Sequence, residues 1–135
     1  MRISLLASNA ALAEYFVTAI GLAGYAVTLY PSREDFFALF TNASLHRRVL
    51  YDLLLIELTL DGDGKQVITE LCRLARDREL SVIVLTTSSQ EAITLVQAAF
   101  PWLCIRQLPL PLSVLLSLIQ AQGPSTLSAA LPSDQ

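Results

Sequence analysis

Asp61 and Asp63, set in an Asp-Gly-Asp-Gly run, are the chain's nearest approach to a metal loop. A calcium loop that opens in this way needs further oxygen ligands downstream, ending in a bidentate Glu. Here Lys65 follows and the later ligands are missing, so the run reads as a turn and no metal is expected. Cys72 and Cys104 have no partner at metal-ligand or redox spacing, and both lie in apolar stretches. They read as buried free thiols in a reducing compartment. His46, the one histidine, stands beside Arg47-Arg48 in a polar stretch and reads as solvated surface. The sequence contains no Gly-x-Ser-x-Gly, no Cys-x-x-Cys and no glycine-rich phosphate loop after its first apolar run. With nucleophile, base and metal all wanting, neither enzyme activity nor a cofactor is expected.

Any site must therefore be assembled by the fold, and the elements that would do so are short. Ile3 to Leu6 is an apolar run closed by Ala7-Ser8-Asn9, as a buried strand would be. Asn9 can cap a helix over Ala10 to Leu22, with Gly24 at the position after its C-cap. Tyr25 to Tyr30 reads as a strand closed by Pro31. Ser32 with Asp35 three residues on then marks a helix start, with Phe36, Phe37, Leu39 and Phe40 as its apolar face. Asn42 to Leu50 is a polar loop, and Leu53 to Ile56 is a continuous apolar run suited to a central parallel strand. Lys65 to Arg78 is amphipathic through Val67, Ile68, Leu71, Leu74 and Ala75, and the β-branched run within Ser81 to Leu85 is a further strand. Ser88 or Ser89 caps a helix over Gln90 to Ala99, Trp102 to Arg106 is a fifth strand, and Pro111 opens a last helix to about Ala121. Tyr15 and the phenylalanines at helical spacing are assigned to the core.

Five strands alternating with five helices predict a doubly wound α/β domain over residues 1–121, a (βα)5 unit with a five-stranded parallel sheet. Residues 122–135, with Gly123, Pro124, Pro132 and several Ser/Thr, read as a linker or disordered tail leading to an output domain. Sheets of this kind take ligands beyond the carboxyl ends of their strands. Ser8, Thr86, Thr87 and Ser88 would stand there as a neutral polar pocket, so a small-molecule sensor domain is the alternative functional class.

Of the chain's 135 residues, 53% are hydrophobic and only 16% charged, against about 25% charged in an average globular protein. Disorder is excluded by that balance. No apolar run reaches the roughly 18 residues of a membrane span, and no signal peptide is legible, so a cytoplasmic protein without membrane contact is expected. A net charge of −3 gives no basic field for a phosphate backbone, so no nucleic acid contact is expected of this segment. Between Arg106 and Asp134 there is no charged residue at all. In the last helix Leu112, Leu115, Leu116 and Ile119 can face the sheet, which leaves Val114 and Leu118 near the outer side. The preceding helix adds Ile93, Leu95 and Val96, of which at least one should also point outward. An uncharged apolar patch of this kind usually marks an interaction surface.

The run Tyr51-Asp52-Leu53-Leu54-Leu55-Ile56-Glu57, followed by a loop ending in Gly64, resembles the third strand and following loop of bacterial response-regulator receiver domains. Val82-Ile83-Val84-Leu85-Thr86 is similar to the fourth strand of that family, and Leu108-Pro109 falls where it carries Lys-Pro. The resemblance spans about residues 2–121 and implies a flavodoxin-like (CheY-like) fold. It also implies a site that has lost its chemistry, a pseudo-receiver. Receivers transfer a phosphoryl group to an aspartate with the help of a divalent cation held by acidic residues. The matching positions here are Ala7 and Ser8 for the acids, Glu57 for the acceptor, Thr86 for the Ser/Thr and Leu108 for the lysine. A dianionic phosphoryl group would find neither Mg²⁺ nor lysine, and leaving such a charge unpaired costs several kcal/mol. Glu57 is then either a built-in mimic of the phosphorylated state, bonded by Thr86, or a solvated carboxylate in a disused pocket. The family also implies that the fourth helix, fifth strand and fifth helix form the face for a protein partner or a homodimer. Ile93, Ile105, Val114 and Leu118 fall on it, Ile105 at the position of the family's switching aromatic. The function expected is phosphorylation-independent signalling by the N-terminal regulatory domain of a response-regulator-type transcription regulator.

Overall fold

Five short strands, each with an apolar stretch, pair side by side in one sheet. The computed structural model describes residues 2–30, 32–38, 52–77 and 81–122, and side chains 74–77 are outside that description. In chain order the elements are β1 (Arg2–Ala7), α1 (Ala10–Leu22), β2 (Ala26–Tyr30), a helical stretch over residues 33–38 labelled α2, and β3 (Leu53–Glu57). They continue with α3 (Asp63–Asp77), β4 (Ser81–Thr86), α4 (Gln90–Ala99), β5 (Cys104–Gln107) and α5 (Leu112–Gln122). The sheet order is β2-β1-β3-β4-β5, with every neighbouring pair parallel. This is the expected doubly wound, CheY-like arrangement.

Alternation along the strands builds two cores. On one face Leu54 and Ile56 of β3 and Val82 and Val84 of β4 pack against Phe36, Ile68, Leu71, Ile93 and Val96 from α2, α3 and α4. On the other, Leu53, Leu55, Ile83 and Leu85 meet Phe16 and Ile20 of α1 and Leu115 and Ile119 of α5. All five residues of β3 are buried, as its central place requires. Each such aliphatic side chain contributes about 1.5–3 kcal/mol on burial. Cys72 and Cys104 are free and buried. Burial pushes the Cys72 thiol up to about 11. It raises Cys104 too, with Arg106 pulling the other way.

Local chemistry sets the helix ends. Asn9 Oδ1 accepts the Leu12 N–H at 3.0 Å. At the other end of α1, the N–H of Gly24 reaches the Gly21 carbonyl at 3.0 Å and that of Tyr25 the Ile20 carbonyl at 3.4 Å. Those two bonds form a Schellman motif, and Gly24 takes the left-handed φ of +101° it requires. Ser32 Oγ accepts the Asp35 N–H at 3.1 Å and donates to its carboxylate at 3.0 Å, so the pair marks the helix start as expected. Of the two candidate caps for α4, Ser89 is the one used, accepting from Ala92 N–H at 3.2 Å.

Three details depart from expectation. β5 begins at Cys104 rather than Trp102, and Trp102 sits half-exposed in a turn. Gln97 Nε2 donates to the carbonyls of Phe100 at 2.9 Å and Leu103 at 2.7 Å, so this turn bonds to a side chain where a ladder was expected. Tyr15 is not core. It lies one position off the buried stripe of Ala13, Phe16 and Ile20 and is 46% exposed. Finally, α5 runs to Gln122, one residue into the segment read as tail. Leu39, Phe40, the Asn42 to Leu50 loop with His46, and residues 123–135 lie outside the described residues. Among the described residues no helix is long and apolar enough to cross a membrane.

Candidate functional site

Parallel pairing sends the loops after β1, β2 and β3 out of one edge of the sheet. Ala7, the last residue of β1, is in register with Glu57, the last of β3, so Ser8 emerges beside the Glu57 side chain. Glu57 is only 4% exposed. Its Oε1 accepts two hydrogen bonds from Ser8, from the backbone N–H at 2.9 Å and from the hydroxyl at 2.9 Å. The same N–H lies 3.3 Å from the Glu57 carbonyl oxygen. A carboxylate taken out of water needs donors to offset its desolvation. Ser8 provides them without charge, and among the described residues Glu57 has no ion-pair partner. Glu57 is therefore neither bonded to Thr86 nor solvated, so neither environment anticipated for it is the observed one.

Ala7, Ser8 and Glu57 open onto a cavity of about 170 Å³. Leu6, Ile56, Leu58 and Val67 supply its apolar lining, and Ser32 and Arg33 reach it from the loop after β2 and the start of α2. Arg33 Nη1 stands 3.9 Å from Asp63 Oδ2 in an exposed pair between α2 and the first turn of α3. This cavity differs from the neutral pocket expected at Ser8, Thr86, Thr87 and Ser88. Only Ser8 of that set lines the cavity, which carries one buried carboxylate and one guanidinium. Ser32 and Arg33 are site residues the sequence does not single out, although they follow the carboxyl end of a parallel strand, where such sheets bind ligands.

Thr86 and Leu108 stand apart from this cavity. Thr86 is fully buried, and its Oγ1 accepts the Ser88 N–H at 3.0 Å. Ser88 Oγ in turn accepts the Leu60 N–H at 2.8 Å, and the Ser88 carbonyl accepts from Gln107 Nε2 at 2.9 Å. The Leu108 N–H donates to the Thr86 carbonyl at 2.7 Å. These bonds tie together the chain segments that follow β3, β4 and β5. They give Thr86 and Ser88 a structural part in place of contact with Glu57. Leu108 is half-buried against the α1/α5 core and its peptide bond to Pro109 is cis.

The Mg²⁺ that the resemblance implies does not fit these residues. Ala7 offers a methyl, the Ser8 hydroxyl donates to Glu57, and one carboxylate oxygen already accepts two bonds. A hard dication requires an oxygen cage with more charge than that. Among the described residues no three His, Cys, Asp or Glu side chains group to hold a metal. Asp61 and Asp63 are exposed, the latter turned to Arg33.

On the far side, α4 and β5 border a shallow groove of about 530 Å³ lined by Gln90, Thr94, Gln97, Ala98, Pro101 and Arg106, with Ile93 and Ile105. Ile93 and Ile105 are 5% and 3% exposed, so they belong to the core and show the groove only an edge. Val114 is 40% exposed as expected, whereas Leu118 is half-buried against the core. Leu95 is the outward residue of α4 at 68%. At 100° per residue it lies on the flank away from the groove-lining Gln90, Thr94 and Gln97.

The sequence matches no family model and no curated protein. Solved structures do match in fold. A CheY-like response regulator receiver domain protein from Methanospirillum hungatei is 18% identical, with a TM-score of 0.69 over 89% of this chain and 90% of its own. A pilus assembly-related protein from Burkholderia pseudomallei is 21% identical, with a TM-score of 0.68 over 90% and 88%. The response regulator protein TrrA of Thermotoga maritima, in complex with Mg²⁺-BeF, is 17% identical with a TM-score of 0.65 over 90% and 97%. The chain therefore has the CheY-like receiver fold.

Proposed function

We propose that this chain is a pseudo-receiver: a signalling domain that works through protein–protein interaction without being phosphorylated. The observation that carries the reading is the Glu57–Ser8 clasp. The residue in the acceptor's place is buried, and its Oε1 is already held by two neutral donors. Ala7 and Leu108 replace the charged groups that phosphoryl transfer would need nearby. In support, several proteins that share the fold are described as response regulators or receiver domains.

The interaction surface is proposed at α4, β5 and α5, with a second copy of the chain as partner. Its described part beyond Arg106 carries no charge, and Val114 is exposed there. A cytoplasmic, N-terminal regulatory domain of a transcription regulator is the setting this reading favours. Light scattering of the chain, of Val114→Glu and of Ala98→Arg, which stands in the groove, is the test. A dimer that both substitutions convert to monomer is expected. A wild-type monomer at every concentration would remove self-association, and a dimer indifferent to both substitutions would place the interface elsewhere.

A further inference from the structure

Glu57 presents an unfinished hydrogen-bond inventory. Its Oε1 takes both Ser8 donors, but among the described residues no donor reaches Oε2. A carboxylate 4% exposed with one unfilled oxygen is a costly arrangement unless something in the adjoining cavity donates to it. The same cavity carries the Arg33 side chain, whose ionic partner Asp63 is 3.9 Å away and 82% exposed. Such a surface pair is weak, and a guanidinium with five donors can take a second carboxylate. The cavity's apolar lining comes from Leu6, Ile56, Leu58 and Val67. A bare dication is a poor occupant, because the one carboxylate shares the cavity with a cation.

We propose that this cavity binds a small aliphatic α-amino acid, with its ammonium group on Glu57 Oε2, its carboxylate on Arg33 and its side chain on the apolar lining. Size agrees. A dry cavity of about 150 Å³ holds the six carbons of benzene, so about 170 Å³ suits about seven non-hydrogen atoms, close to the eight of valine. The site stands whether or not the α4–β5–α5 surface pairs, since it rests on the cavity alone.

The test is titration calorimetry of the intact chain with L-valine and L-leucine. Isobutylamine and isovalerate serve as half-ligands, and magnesium chloride as the metal control. Saturable binding of at least one amino acid with a Kd below about 5 mM is expected. Each half-ligand should bind at least about tenfold more weakly, and Arg33→Gln and Glu57→Gln should each weaken the amino acid by about tenfold. Arg33 is half-exposed, so its substitution remains informative if Glu57→Gln fails to fold. No saturable binding of either amino acid overturns the proposal. So does binding that Arg33→Gln leaves unchanged, isobutylamine binding as well as valine, or Mg²⁺ binding that Glu57→Gln abolishes.

Discussion

Ser8→Ala isolates half of the Glu57 clasp. The substitution removes the hydroxyl donor at 2.9 Å but leaves the backbone N–H, also at 2.9 Å, on the same oxygen. A hydrogen bond to a charged group contributes roughly 1.5–3 kcal/mol. Ser8 is exposed, so water can replace the lost hydroxyl in part, and the lower end applies. A loss of about 1.5 kcal/mol is expected, which for a domain of this size lowers Tm by about 5 °C. Paired substitutions separate this bond from any general effect on the loop. In a Glu57→Gln background the acceptor is neutral, and Ser8→Ala should cost only about 0.5 kcal/mol, leaving a coupling of about 1 kcal/mol. Urea denaturation of the four proteins, at pH 7 and with a common m-value, measures each corner of the cycle. A Ser8→Ala cost within about 0.5 kcal/mol of zero, or a strictly additive cycle, would refute the reasoning.

Gly64 lies in the first turn of α3, where a Cβ would fall 1.7 Å from the Thr59 carbonyl oxygen. Gly64→Ala must prise apart the loop after β3, and a loss of about 3 kcal/mol by urea denaturation is expected; a neutral result would show the approach to be slack. The chain's two thiols should resist a disulfide reagent at pH 8 in the native protein and react as urea unfolds it, while rapid native labelling would contradict their burial. Because burial raises the Cys72 thiol from 9.0 to about 11, the neutral thiol's stabilisation is complete below pH 9 and is lost as pH climbs toward 11. Thermal melts across that alkaline range should fall more steeply for the wild type than for Cys72→Ala.

The sheet was legible because its central strands are unbroken apolar runs bracketed by turn formers, as Leu53 to Ile56 and Val82 to Leu85 show. Caps were legible because Asn9 and Ser32 need only near neighbours to do their work. What sequence alone could not show was which polar groups would meet. Gln97 donates to the carbonyls of Phe100 and Leu103, and no feature of the sequence marks that turn or the start of β5 at Cys104. The glycine at 64 reads as a turn residue, yet its constraint comes from Thr59 across the loop. The resemblance points Thr86 at Glu57, but its hydroxyl oxygen accepts the Ser88 N–H two residues on. Ser8 and Glu57 are 49 residues apart, and only the β1–β3 register brings their side chains into one clasp.

The most direct test of the account is exposure of the chain to acetyl phosphate with Mg²⁺, followed by intact-mass and peptide mass spectrometry beside a known active receiver as control. An unmodified chain is predicted, because the Glu57 Oε1 that stands in the acceptor's place is held by Ser8, and Ala7 and Leu108 stand where the charged groups of phosphoryl transfer would be needed. A phosphoryl adduct on Glu57, at a stoichiometry approaching that of the control, would contradict it.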